Sequence, residues 1–144
     1  MPHAEISFPF AKRSHYPHLS PEDTAIWERF IEANPGKFDH VYYDFRVGDE
    51  DPVPDDLPVA IRQAWWDLSY WRIDTVGEDA KNFYIIEIKP YANSKAIGQA
   101  LSYAAIFLTD ENPEKPVIPV VLTDVIFPTT QRVADLLNVQ IWKS

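Results

Sequence analysis

Three side chains stand where they could share one divalent cation and one phosphate: Asp74 in Arg72-Ile73-Asp74, and Glu87 and Lys89 in Glu87-Ile88-Lys89. The second fragment ends an apolar run, residues 83–86, that reads as a strand buried on both faces. Side chains alternate along a strand, so Glu87 and Lys89 project to one side and Ile88 to the other. Residues 70–76 are rich in aromatic and β-branched types and read as a second strand. The polar stretch 77–82 between them is short enough for a hairpin loop, which would bring Asp74 beside Glu87. Neighbouring carboxylates repel unless a proton or a cation lies between them. Mg²⁺ (or Mn²⁺) fits: Mg²⁺ takes oxygen ligands, is commonly held by one or two carboxylates and keeps waters for a substrate phosphate. A metal so held polarises a phosphoryl oxygen and lowers the pKa of its water, with Lys89 placed to orient that water or to offset developing charge. The chemistry expected of such a set is phosphodiester hydrolysis.

A helix follows the second strand. Asn93 or Ser94 caps its start, and Ile97, Leu101, Ala104 and Leu108 recur at helical spacing on one face. Lys95, Gln99 and Tyr103 succeed one another at intervals of four and form a separate polar stripe. Gly98 costs this helix about 1 kcal/mol relative to alanine, which points to a close approach of backbone or substrate there.

The remaining elements must hold those residues in place. Residues 1–19 read as an extended N-terminal arm, and residues 20–144 as the domain proper. Ser20 is an N-cap, with Pro21 in the first turn and Asp23 completing a capping-box-like start. Ile26, Trp27, Phe30 and Ile31 make the buried face of this first helix, which stops at Asn34-Pro35-Gly36. Residues 41–47 read as a strand, 48–58 as an acidic, proline-containing loop and 60–66 as a short helix ahead of the two site strands. After the polar-stripe helix come a strand at 117–122, a helix near 130–137 and a last short strand at 139–142.

Taken as an ordered set, these residues resemble the PD-(D/E)XK nuclease superfamily, and Gln99-x-x-x-Tyr103 resembles the motif of its RecB-like branch. The resemblance covers roughly residues 20–124. It implies a single α/β domain, a central mixed sheet flanked by helices, in the order helix, three strands, helix, strand, with a C-terminal helix and strand added. It further implies that Asp74 and Glu87 hold the metal, with the Ile88 carbonyl as a further ligand, and that Lys89 positions the attacking water. Gln99 and Tyr103 would face the metal and the backbone of a nucleic acid, DNA ahead of RNA. Some members draw another acid from the first helix, for which Glu28 and Glu32 are the candidates; a solvated acidic stripe is the other reading of that pair.

Composition bounds the rest. At 144 residues, 46% of them hydrophobic and 14% aromatic, the chain is long enough for one domain with a proper core. It has no cysteine, which excludes disulfides and thiolate chemistry and suits a reducing compartment. No segment reaches transmembrane length, so no membrane partner is expected and a cytoplasmic protein is, or one of the host cytoplasm or virion if viral. The formal net charge of −9 runs against a protein that grips nucleic acid by its phosphates. The excess is local: residues 1–56 carry five basic and twelve acidic side chains, net −7, whereas residues 57–110 carry five and six, net −1. Trp65, Trp66 and Trp71 could stack on bases or belong to a core, and His15, His18 and His40 show no metal-ligand spacing. The charge also suits a different class of function, a non-catalytic protein of this fold inside a larger assembly such as a viral head-tail connector. There the arm 1–19 would bind a partner or a second copy.

Overall fold

The computed structural model describes residues 6–49 and 52–144, with only the backbone described at 66–69. Met1 to Glu5, and Glu50 and Asp51 of the acidic loop, lie outside the described residues. Nine elements follow in the order α1 (Pro21–Ala33), β1 (His40–Val47), α2 (Val59–Ser69), β2 (Trp71–Glu78), β3 (Phe83–Ala92), α3 (Ser94–Glu111), β4 (Val117–Ile126), α4 (Pro128–Leu136) and β5 (Gln140–Lys143). The strands form one mixed sheet in the order β1-β2-β3-β4-β5. The first three are antiparallel neighbours, and β4 and β5 add in parallel. This is the α/β arrangement that the sequence predicts.

Helices cover both faces of the sheet. On one, Ile26, Trp27 and Phe30 of α1 pack with Val41, Tyr43, Ile86, Ile88, Val120 and Leu122. Ser20 caps this helix by accepting from the Asp23 amide at 3.1 Å. On the other face, Ala104 and Phe107 of α3 pack with Phe45, Val47, Ile73, Val76 and Ile85. The N-cap of α3 is Asn93, which accepts from the Ala96 amide at 2.9 Å. The buried face of α3 is Ala96, Ile97, Ala100, Ala104 and Phe107, and Leu108 is half exposed. The expected stripe is thus rotated toward the alanines, whose small side chains let the helix lie close on the sheet.

Strand β1 supplies residues to both layers. Val41 and Tyr43 belong to the α1 side, yet Phe45 and Val47 belong to the α3 side. Regular alternation would keep all four on one face. The change occurs at Asp44, whose φ of +52° lies in the left-handed region, and the pairing with β2 steps from Tyr43↔Thr75 to Phe45↔Ile73 across it. Asp44 is held there by Arg72, whose Nη1 donates to Oδ2 at 2.7 Å, and by His18 Nε2 at 3.1 Å from Oδ1.

The described part of the arm is built into the same core. Phe8 and Val41 exchange two backbone hydrogen bonds at 2.8 and 2.9 Å. Phe10 meets Trp27, Phe30 and Phe38 edge-on, and the Tyr16 ring is buried with its hydroxyl donating to Glu28 Oε2 at 3.0 Å.

Candidate active site

The site lies where two strands part. The β2–β3 ladder runs from Glu78↔Phe83 to Thr75↔Ile86 and no further, whereas β3 stays paired with β4 out to Ala92. Asp74 and Glu87 are the next residues on either side of this fork. Freed from the β2 ladder, the Ile88 amide donates to Asp74 Oδ2 at 3.1 Å. The fork also explains Pro90 inside β3: a residue without an N–H is tolerated where one strand edge has no partner.

Glu87 is only 5% exposed, and its Oε2 has no hydrogen-bond partner among the described residues. Burial, then the charge of Asp74 and a hydrogen bond shared with it, push the Glu87 carboxyl up to about 9. Asp74 is raised too, again chiefly by burial, with the Ile88 amide opposing. Without a cation the pair therefore keeps a proton, and Glu87 is the better place for it. Lys89, half-buried on the same side of β3, is felt by both carboxylates as a nearby positive charge.

Gln99 and Tyr103 complete the opposite wall. Gln99 lies near the Tyr103 hydroxyl, whose pKa is raised by burial and then by the charges of Glu87 and Asp74. The Gln99 Oε1 atom is buried with no partner among the described residues. Beside them opens a groove of about 440 Å³ lined by Trp71, Lys95, Gly98, Gln99, Ser102 and Tyr103.

The first helix contributes a residue other than the two proposed from sequence. Glu28 accepts from Tyr16, and Glu32 pairs with Lys12 at 2.5 Å, so both are engaged by the arm. Asp23, one turn into α1, instead lies within electrostatic reach of Asp74, Glu87 and Lys89, and its own carboxyl is raised, mainly by burial. Its place in the capping pattern of the first turn of α1 concealed it, and no local signal marked it. Of the histidines, His18 Nε2 lies 3.1 Å from Asp44 Oδ1, and His40 opens β1. Trp65 and Trp71 are each about half exposed, and the Trp66 side chain lies outside the described residues.

A divalent cation suits this donor set. Among the described residues no group of three or more His, Cys, Asp or Glu side chains is arranged to hold a metal. The donors are two carboxylates, one with an unpartnered buried oxygen, and that all-oxygen pair is what Mg²⁺ takes while keeping its waters.

No family model matches the chain, and no curated protein matches it in sequence. Solved structures do match in fold. A repair endonuclease from Pyrococcus abyssi superposes with a TM-score of 0.50 and 14% identity, over 91% of this chain and 49% of that one. The protein of an EndoMS complex with dsDNA superposes with a TM-score of 0.50 and 16% identity, over 93% of this chain and 48% of that one. The chain spans about half the length of these structures. The domain thus shares the fold of these two structures. Among the described residues no helix is long and apolar enough to cross a membrane.

Proposed function

We propose that the protein is a metal-dependent nuclease that hydrolyses phosphodiester bonds, with DNA ahead of RNA as substrate. The observation that carries this reading is the fork itself: the buried Glu87 beside the half-buried Asp74, both carboxyls raised chiefly by burial, with an ammonium two residues along the same strand from Glu87. The DNA preference rests on one fold neighbour having been solved with dsDNA. Asp74, Glu87 and the Ile88 carbonyl hold Mg²⁺ or Mn²⁺, which when bound supplies a Lewis acid for the phosphoryl oxygen and a more acidic water. The Ile88 amide fixes one Asp74 oxygen and so orients the carboxylate. Lys89 holds the attacking water and offsets charge developing on the phosphate. Gln99 and Tyr103, one turn apart on α3, orient the site or the substrate.

The test is cleavage of DNA and RNA with Mg²⁺ or Mn²⁺. Asp74→Ala, Glu87→Ala and Lys89→Ala are each expected to lower the rate by at least about 10²-fold, the scale of a lost acid–base or positioning group, with unchanged circular dichroism. No cleavage of single-stranded, duplex, flapped or branched substrates with either metal would overturn the reading.

A further inference from the structure

The groove on α3 is built for something flat. Trp71 is 49% exposed, and its ring centroid lies 5.7 Å from that of Tyr103 at 59°, so the two rings form adjoining walls. Between Lys95 and Gln99 the helix carries Gly98, and a Cβ placed there meets nothing within 4 Å. The glycine is therefore not required by packing in this domain. What it leaves open is the floor of the groove, with the exposed Lys95 at the rim and the unpartnered Gln99 oxygen on the site side.

We propose that this groove seats an unpaired nucleobase next to the phosphate held at the fork, so that the preferred substrate is single-stranded or locally unpaired nucleic acid. Charge selects between this occupant and a duplex. Tracking a duplex depends on many cations neutralising phosphates, and a chain of net charge −9, with the stretch 57–110 at −1, is poorly furnished for that. Stacking a base on an aromatic face needs no such excess and accepts any base. A duplex keeps its bases stacked on one another, whereas an unpaired base presents its face to Trp71 and its edge to Gln99, with Lys95 at the rim. The position of the phosphate rests on the nuclease reading; the stacking does not.

The test uses the full chain in Mg²⁺ and fluorescence anisotropy with a short phosphorothioate-linked single strand, which resists cleavage, against the same sequence as a blunt duplex. The single strand is expected to bind more tightly. Trp71→Ala is expected to weaken it about tenfold, the scale of one lost base–aromatic stack, with Trp71→Phe retaining most of the affinity. Gly98→Leu distinguishes binding from folding: it is expected to raise the melting temperature, since leucine is the better helix former, and to weaken the single strand by filling the groove. Equal affinity for strand and duplex, or single-strand binding indifferent to both Trp71→Ala and Gly98→Leu, would overturn the proposal. The predicted binding pattern without any cleavage of ordinary phosphodiesters would remove the nuclease reading and leave the groove assignment standing.

Discussion

Glu87 carries the strongest single-residue consequence of the fold. In the metal-free protein its carboxyl titrates near 9, against an ordinary value of 4.5. Between those values the folded chain holds a proton that the unfolded chain has released. The stability this confers is complete below the lower value and drains away as pH rises through the higher one. Urea unfolding in a chelator should accordingly show stability falling from about pH 5 to about pH 9, and Glu87→Gln, neutral throughout, should flatten that decline. Equal slopes for the two proteins would show that Glu87 does not carry the proton. The same displacement means that Mg²⁺ should bind more tightly as pH rises. The carboxylate pair was legible in the sequence because strand alternation and a short hairpin suffice to bring Asp74 and Glu87 together. Asp23 was not, because its local role as a capping residue accounts for it fully and only the packing of α1 against the sheet turns it toward the site.

Among the elements, β2 depends most on one missing atom. A Cβ at Gly77 would lie 2.8–2.9 Å from the Phe38 ring, itself packed against Tyr84 and Trp142. Gly77→Ala should therefore destabilise the domain by about 1–3 kcal/mol, the usual cost of overpacking, measurable by chemical denaturation; an unchanged midpoint would show that the ring moves aside freely. Element order, the Ser20 and Asn93 caps and the hairpin were legible because each is set by neighbours in sequence. Strand lengths were less so. The strand read at 117–122 continues as β4 to Ile126, because Val125 and Ile126 stay paired with Tyr91 and Ala92 of β3. Likewise α2 runs on to Ser69, and the β2–β3 fork and the turn of β1 at Asp44 arise from pairing between distant residues. No local pattern announces them.

For the whole molecule, residues 6–19 are anchored to the domain's own core through Phe8, Phe10, Tyr16 and Leu19. Tyr16 is 2% exposed among Trp27, Tyr43 and their neighbours, so Tyr16→Ala should cost roughly 3–5 kcal/mol, as for other buried aromatic truncations. Deletion of residues 1–19 should cost more. If the truncated chain unfolds at the denaturant midpoint of the full one, the arm is an appendage after all. The turn at Asp44 has a different bearing on the intact fold. Because one uninterrupted strand serves the α1 layer with its first half and the α3 layer with its second, neither layer has a boundary at which loosening could stop. A fluctuation that withdraws Tyr43 from one side pulls on Phe45 in the other, through the residue that stands opposite Asp74. Local melting confined to one layer should thereby be disfavoured, and the two halves of the interior should unfold in one transition, coincident by circular dichroism and by tryptophan fluorescence. The fork between β2 and β3 is then expected to be lost only together with the fold as a whole.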